Sequence, residues 1–274
     1  MADARHRLAA ARRLLLGAAL VLVVYAGFAA GAAFAQAPDG CSPPPAPQAV
    51  DFSNAPNLDL IKAQILYYRC TRYDADIAAV VGEAKRWVAL RAPQVANPAI
   101  VLDIDETSLS NWPRIYKDGY AYFAGGPCNL DKSGEACGDG EWQASEKAPA
   151  IEPTLELYKL ARCIAGESAC RKIEVFFVTG RHVSDRRIDG KTPTEWTLDN
   201  LEKVGYAGLS PDHLYLRPAN SNGPVAPYKS GARADIETRF NVTIIANVGD
   251  QESDLAGGHA ERTFKLPNPF YFIP

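Results

Sequence analysis

The chain has 274 residues, of which 47% are hydrophobic and 22% are charged, as in an ordinary globular protein. This length allows one core domain with insertions. The formal net charge is −3, from 29 basic and 32 acidic residues, and no basic stripe runs along the sequence. The charge pattern therefore argues against a nucleic-acid polymer as a partner.

The N-terminus has the organisation of an export signal. Residues 1–13 carry four arginines, the apolar run Leu14–Phe34 follows, and an A-x-A sequence ends at Ala35. This pattern predicts a signal peptide over residues 1–35, cleaved before Gln36, and a periplasmic or secreted mature protein without stable membrane association. Because the apolar run is long enough to span a bilayer, an uncleaved anchor in the inner membrane is the alternative.

The six cysteines all follow this signal. Removing the signal deletes four arginines and one aspartate, which leaves 25 basic and 31 acidic residues and a net charge of −6. A proline-rich linker is expected over residues 36–54. An even number of cysteines in an exported chain predicts disulfides, with reduced thiols as the alternative. The simplest pairing is sequential: Cys41–Cys70, Cys128–Cys137 and Cys163–Cys170.

A folded domain is predicted over residues 55–274, and it starts with two helices within residues 55–92. The second helix has one apolar face, at the spacing of a helix that packs on a core. The positions on that face are Ile77, Val80, Val81, Ala84, Trp87 and Val88.

Two carboxylates follow the first predicted strand. The apolar run Ala99–Leu102 is typical of a buried parallel strand, and Asp103 and Asp105 come directly after it. Residues i and i+2 of a strand point the same way, and ligands of open α/β sheets bind beyond the carboxyl ends of strands. Both acids are therefore predicted to face an active site. Glu106 points elsewhere, so we expect it to be structural or to face a cap.

A long insertion, residues 108–150, separates the first two strands. It is rich in aromatic residues and contains two cysteines. We expect a small, mainly helical cap that covers the acid pair, excludes water and selects substrates. Its aromatic residues are Trp112, Tyr116, Tyr120, Tyr122, Phe123 and Trp142.

The second predicted strand also ends in polar residues. The apolar run Ile173–Val178 precedes Thr179–Arg181, whose sequence is Thr-Gly-Arg. A helix is predicted next, because Thr192 and Glu195 have the spacing of a capping box and Gly205 is placed to end it.

Two further polar clusters lie in the C-terminal third. Lys229 is at the predicted start of a helix, and the strand Val242–Ala246 leads to Asp250 and Asp254. The remaining strands are predicted at residues 213–216 and 263–266. The alternation of strands and helices predicts a parallel sheet with helices on both faces.

Along the chain, the polar clusters come in a fixed order: first an acid pair, then a hydroxyl residue with a glycine, then a lysine, and finally a second acid pair. In this the chain resembles the haloacid-dehalogenase superfamily of phosphatases. Asp103–Thr107 is similar to the D-x-D-E-T signature of its secreted acid phosphatases. The plant acid phosphatase and vegetative storage protein branch is similar in four segments: Phe177–Arg181, Asn200–Tyr206, Gly249–Leu255 and Arg262–Ile273. The resemblance covers residues 55–274 and implies a Rossmann-like α/β fold with a five-stranded parallel sheet.

The resemblance also implies catalytic roles. Asp103 would be the nucleophile that forms an aspartyl-phosphate, and Asp105 would be the general acid and then the general base. Thr179, Gly180 and Lys229 would bind the phosphoryl oxygens.

A magnesium ion is the expected cofactor, because oxygen ligands suit this hard cation. Its ligands would be Asp103, Asp250 and the backbone carbonyl of Asp105. Asp254 would hold the metal's waters or Lys229. Contact with the metal is expected to keep Asp103 ionised while Asp105 holds a proton.

For Arg181 two roles are open, contact with the substrate or pairing with an acid. The expected activity is a magnesium-dependent acid phosphatase that acts on small phosphate monoesters. One alternative is a storage or binding protein with weak catalysis, as among storage members of the plant branch, although an intact Asp103 argues against it. Another is a phosphotransferase that uses alcohol acceptors.

Overall fold

The computed structural model describes Cys41, residues 44–163 and residues 172–274. The predicted signal peptide and its cleavage site lie outside these residues. Within the described ranges, none of the helices has both the length and the apolar character that crossing a membrane requires.

Five parallel strands form one sheet in the order β3-β2-β1-β4-β5. Their bounds are β1 Pro98–Leu102, β2 Glu174–His182, β3 Leu214–Arg217, β4 Thr243–Gly249 and β5 Thr263–Lys265. All five residues of the central strand β1 are buried, which explains its uninterrupted apolar sequence. The predicted five-stranded parallel α/β sheet is confirmed.

Eight α-helices are found in the described part of the chain. Their bounds are α1 Leu58–Thr71, α2 Tyr73–Arg91, α3 Trp112–Lys117, α4 Asp139–Ala144, α5 Glu152–Ala161, α6 Pro193–Lys203, α7 Val225–Phe240 and α8 Glu252–Leu255. Alternate residues of β1 pack on opposite faces of the sheet. Ala99 and Val101 join the core that contains residues of α7, whereas Ile100 and Leu102 join the larger core with α2 and α5. The sheet is thus covered on both faces.

The apolar face predicted for α2 packs on this larger core. Four of its six positions are buried, and the other two pack against the core. Full burial of one aliphatic side chain contributes about 1.5–3 kcal/mol. The indole N–H of Trp87 also donates to the carbonyl of Ile245 in β4, at 2.7 Å. These contacts attach α2 to the strand that leads to the second acid pair.

Helix α6 begins as its sequence predicts. Thr192 Oγ1 accepts from the backbone N–H of Glu195, and the Glu195 carboxylate accepts from the backbone N–H of Thr192. Gly205 follows the last turn with φ +114°, a conformation that favours glycine. An N-cap contributes about 1 kcal/mol, so these contacts fix where α6 starts.

The insertion 108–150 contains two six-residue helices, α3 and α4. Its two ends are joined, since Ser110 N–H donates to the Pro149 carbonyl and Ile151 N–H donates to the Ser108 carbonyl. Most of its residues lie in turns and loops, so the prediction of a mainly helical cap holds only for the two short segments. The physical reason is local composition, because the stretch between α3 and α4 is rich in glycine.

Two of the predicted disulfides are present, Cys41–Cys70 and Cys128–Cys137. For these four cysteines the alternative of reduced thiols was wrong. Cys163 is also disulfide-bonded, and its predicted partner Cys170 lies outside the described residues. The second disulfide joins two parts of the cap.

Candidate active site

The first acid pair lies in a tight loop at the end of β1. The strand ends at Leu102, and the backbone N–H groups of residues 107–109 all donate to the Ile104 carbonyl, at 2.8 to 3.3 Å. Asp103 and Asp105 are therefore placed by this turn and not by the side-chain alternation of a strand. The side-chain alternation expected from a strand therefore does not reach the two acids, because the strand ends at Leu102.

Lys229 lies between two buried carboxylates. Its Nζ is 2.5 Å from Asp103 Oδ1 and 2.5 Å from Asp254 Oδ1. Burial lowers the pKa of Lys229, but the two carboxylates outweigh it and the net pKa is raised. Burial also raises the pKa of Asp103 well above its usual range, against the opposing charge of Lys229. One lysine thus neutralises only part of a buried acidic cluster.

Asp254 is held by its neighbours for this contact. Its second oxygen accepts from the backbone N–H of Gln251 at 2.7 Å. A Cβ at Gly249 would come within 2.4 Å of the Asp254 Cβ, so only glycine lets the backbone at residue 249 approach the Asp254 side chain this closely. Arg233 of α7 donates to the carbonyls of residues 254, 256 and 258. Of the two roles expected for Asp254, the structure shows the pairing with Lys229.

Asp250 is bonded through both oxygens. Oδ2 accepts from Gln251 Nε2 and Asn268 Nδ2, both at 2.7 Å, and Oδ1 accepts from Thr107 Oγ1 at 3.2 Å. Burial, together with the charges of Asp254 and Glu106, raises the pKa of Asp250 to about 7.

Three buried acids have the donor set of a cation site. Ligand oxygens of Asp103, Asp250 and Asp254 all lie within 4.8 Å of one another. Buried carboxylates this close repel each other unless a cation or protons offset their charge. An all-oxygen set suits a hard divalent ion such as Mg²⁺. The residues present therefore fit the predicted metal.

Asp105 has a different environment. Arg181 donates to its carboxylate from Nε and Nη2, at distances between 2.8 and 3.3 Å, and Asn111 Nδ2 donates at 2.9 Å. Burial raises the pKa of Asp105, but the Arg181 charge and these hydrogen bonds outweigh it, so the net pKa is lowered. Arg181 thus pairs with an acid, one of its two expected roles. The lowered pKa is opposite to the expectation that Asp105 easily holds a proton, and Arg181 is the cause.

Thr179 and Gly180 lie on the same side of the site. They belong to β2, which continues to His182, so the strand extends four residues beyond the apolar run that ends at Val178. Thr179 Oγ1 is buried, 3.5 Å from Asp105 Oδ2, and it accepts from the Arg181 backbone N–H at 3.1 Å. A Cβ on Gly180 would meet only Val225, at 3.9 Å. Contacts within the protein therefore do not require glycine at position 180, whereas a ligand lying close to the backbone there would require it.

Asn111, Trp142 and Tyr271, for which the sequence indicates no specific role, support the site together with Glu106. Asn111 Oδ1 accepts from the cap residue Trp142 at 2.7 Å, while its Nδ2 bonds Asp105 and Glu106. Glu106 is fully buried, with φ +58° and a pKa raised to about 7, first by burial and then by the Asp105 charge. It also accepts from Tyr271 Oη at 2.5 Å. Trp142 and Tyr271 are 31 and 165 residues from their partners, so no local pattern indicates these two contacts.

The sheet order, the cap after β1 and the acids beyond the strand ends define an α/β protein of the haloacid-dehalogenase (HAD) type. The family model "HAD superfamily, subfamily IIIB (Acid phosphatase)" matches residues 43–274. The chain belongs to this family.

Curated relatives from plants are similar to the chain. They include the stem 28 kDa glycoprotein of Glycine max, 35% identical over 177 residues, which are 63% of this chain and 59% of the relative. Acid phosphatase 1 of Solanum lycopersicum is 34% identical over 63% of this chain and 58% of its own length. Vegetative storage protein 1 of Arabidopsis thaliana is 30% identical over 82% of this chain and 76% of its own length. The chain thus spans about three fifths of the first two.

A solved structure has the same fold. The class C acid phosphatase from Bacillus anthracis superposes with a TM-score of 0.54, covering 78% of this chain and 85% of that one. Sequence identity is 19%, so this likeness concerns the fold alone.

Proposed function

We propose that the protein is a magnesium-dependent acid phosphatase that hydrolyses small phosphate monoesters through an aspartyl-phosphate. The observation that carries this proposal is the pairing of buried Asp103 with Lys229 at 2.5 Å, at the end of the central strand. A carboxylate there can approach a phosphate dianion only where cations offset their repulsion. Asp105 lies two residues on, beside Thr179, where it can serve the leaving group.

In the first step, an Asp103 oxygen attacks phosphorus and the bond from phosphorus to the ester oxygen breaks. Asp105 gives its proton to the departing oxygen, so the alcohol leaves neutral. The Lys229 ammonium, the Thr179 hydroxyl and the backbone at Gly180 bind the phosphoryl oxygens as charge redistributes.

In the second step, the Asp105 carboxylate takes a proton from a water molecule. The water oxygen forms a new bond to phosphorus, and the bond between phosphorus and Asp103 breaks. Inorganic phosphate leaves, the Asp103 carboxylate is restored, and Asp105 again carries a proton. Because Arg181 lowers the pKa of Asp105, we expect activity to fall as the pH rises from acid values.

Asp103, Asp250 and the Asp105 backbone carbonyl would hold Mg²⁺. The bound ion would supply positive charge to the phosphoryl oxygens and to the nucleophile. The cluster of buried acids that includes Asp103 and Asp250 suits a hard cation and supports the assignment of these two ligands.

We also propose a periplasmic or secreted location, with cleavage between Ala35 and Gln36. The disulfides Cys41–Cys70 and Cys128–Cys137 support it, because such bonds persist in oxidising compartments. Identification of Gln36 as the first residue of the protein recovered from the periplasm or medium would support both statements. Recovery of the full-length chain in the membrane fraction would favour the anchor instead.

The activity is tested by phosphate release from p-nitrophenyl phosphate by residues 36–274, from pH 4 to 9, with Mg²⁺ and with EDTA. We expect release at acid pH that EDTA abolishes and Mg²⁺ restores. Full activity after rigorous chelation would contradict the metal role. No release under any condition would favour a storage or binding protein, a function that the vegetative storage protein among the relatives makes the second candidate.

Adding an alcohol acceptor to the same assay separates hydrolysis from transfer. A hydrolase gives one free phosphate for each p-nitrophenol released. A transferase gives less phosphate than p-nitrophenol, because the phosphoryl group is passed to the alcohol.

A further inference from the structure

The C-terminal segment carries part of the family resemblance, yet the mechanism above gives it no role. After β5 ends at Lys265, residues 266–273 run beside the loop that carries Asp250; we name them the C-terminal strap. Leu266 N–H donates to the Gly249 carbonyl at 2.8 Å, and Lys265 Nζ donates to the Asp250 carbonyl at 2.5 Å. The strap therefore begins at the residue next to the candidate metal ligand.

One side chain of the strap contacts that ligand directly. Asn268 Nδ2 donates to Asp250 Oδ2 at 2.7 Å. The orientation of this amide is defined by its other end, because Asn268 Oδ1 accepts from the backbone N–H of Phe270 at 2.8 Å. An amide oxygen is an acceptor and its NH₂ group a donor, so the strap's own turn directs the NH₂ group to Asp250.

The strap is anchored on both sides of this contact. Phe270 is buried, with ring centroids 5.2 Å from Tyr73 of α2 and 5.2 Å from Trp112 of the cap. Further along, Ile273 N–H donates to Gln251 Oε1 at 3.1 Å, and Gln251 Nε2 donates to Asp250 Oδ2. A packed aromatic ring and a second hydrogen bond thus hold the strap against the acid.

We propose that the C-terminal strap is part of the cation site, with Asn268 as a positioning residue. It holds Asp250 in the orientation that brings the ligand oxygens of Asp103, Asp250 and Asp254 within 4.8 Å. Residues that hydrogen-bond to a metal ligand fix its rotamer, and their loss typically costs 10- to 100-fold in metal affinity. The inference rests on the proposed metal role of Asp250. It adds to the cation site a segment that lies outside the motifs at the strand ends.

The test is the Mg²⁺ dissociation constant of Asn268→Ser, measured by calorimetry and by the Mg²⁺-dependent rise in Tm. Serine can keep the turn, since its hydroxyl accepts from a backbone N–H two residues on, but it is too short to donate to Asp250. We expect the dissociation constant to rise by about 10- to 100-fold, with kcat largely recovered at saturating Mg²⁺. Asn268→Gln, which keeps the amide but displaces it, is the second variant and should show the same weakening.

Tyr271→Phe is the matched control. It removes the strap's hydrogen bond to Glu106 and leaves the Asn268–Asp250 contact in place. We expect unchanged Mg²⁺ affinity, even if its Tm falls. Wild-type affinity in both Asn268 variants, or the same loss in Tyr271→Phe, would overturn the positioning role. A wild-type protein that does not bind Mg²⁺ would overturn the metal site itself, and the strap's role with it.

Discussion

Asp103 and Asp105 are chemically identical side chains two residues apart, yet the structure treats them in opposite ways. Asp103 shares one lysine with Asp254 inside a buried acidic cluster, and its pKa is raised, first of all by burial. Asp105 has an arginine of its own, and its pKa is lowered. Burial raises the pKa of both carboxyls, so the comparison shows that neighbouring charges, and not the residue type, separate their pKa values: Asp254 and Asp250 raise that of Asp103, and Arg181 lowers that of Asp105.

The two acids also differ in access. The Asp105 side chain is 25% exposed and that of Asp103 is 6% exposed. A nucleophile benefits from a dry site where charges act strongly, whereas a general acid must reach an oxygen that leaves towards solvent. The difference in burial therefore agrees with the division of labour proposed for the pair.

Removing the proposed nucleophile should have the largest effect. Asp103→Asn cannot form an acyl phosphate, so we expect kcat to fall by about 10³-fold or more. Folding should be retained, because Asn removes a buried negative charge and Asp254 still pairs with Lys229. Activity with p-nitrophenyl phosphate and the Tm check both parts. Wild-type turnover in this variant would rule out the aspartyl-phosphate.

Removing the shared cation should affect activity and stability together. Lys229→Met leaves Asp103 and Asp254 without their common partner, which costs about 3–5 kcal/mol for a buried pair. We expect kcat to fall by about 10²-fold or more. Urea unfolding should show a smaller loss of stability at pH 5 than at pH 8. The Asp103 pKa is already raised, so its protonation at low pH relieves the repulsion.

Lys229→Arg is the control for charge, and it should keep more stability than Lys229→Met. An unchanged free energy of unfolding in Lys229→Met would mean that the two acids do not need the lysine.

Gly180→Ala tests the phosphate-binding side with a single methyl group. The protein leaves room for this methyl, which would meet only Val225 at 3.9 Å, so the Tm should stay within a few degrees. A methyl at the place where phosphoryl oxygens approach should lower kcat/KM by about 10-fold or more. Gly231→Ala, in helix α7, is a matched control because a Cβ there meets nothing within 4 Å. Equal activity of the two variants would remove Gly180 from the site.

Arg181→Gln should have the smallest effect on the reaction rate and the clearest effect on its pH dependence. Without the guanidinium, the pKa of Asp105 is no longer held low, so the acid keeps its proton to higher pH. The part of the pH profile in which kcat/KM falls with rising pH should move to higher pH. At the acid optimum, kcat/KM should change by less than about 10-fold. Thr197→Val is the control, because it removes only the hydrogen bond that Arg181 Nη1 donates to Thr197 Oγ1. A profile that does not move would show that Asp105 is not the group that titrates.

The parts that could be predicted from sequence depend on local patterns. The apolar runs identify the strands, the 3.6-residue spacing identifies the core face of α2, and Thr192 with Glu195 marks the start of α6. These features depend on near neighbours in the chain. The parallel sheet could also be predicted, because alternating strands and helices have few ways to cover their apolar faces.

The support of the site could not be predicted in the same way. Asn111 and Asn268 contact their acids across 6 and 18 residues, and nothing in their own neighbourhoods indicates those contacts. For Arg181 an acid partner was one of two expectations, but its place in the sequence does not indicate that the partner is Asp105, 76 residues away. The cap was expected to be mainly helical from its place in the chain. The glycine-rich stretch between α3 and α4 forms loops instead, and the Cys128–Cys137 disulfide joins two parts of them.

The sequence by itself determined which chemical groups stand at the strand ends and in what order, because strands, turns and caps are specified locally. Only the tertiary structure decided which acid received which cation. The pKa of a buried carboxylate depends on charges within a few ångströms, and those charges come from four strands or helices that the fold alone brings together. Asp103 and Asp105 carry the same side chain, and the acidic neighbours of the first and the Arg181 partner of the second make their pKa values different.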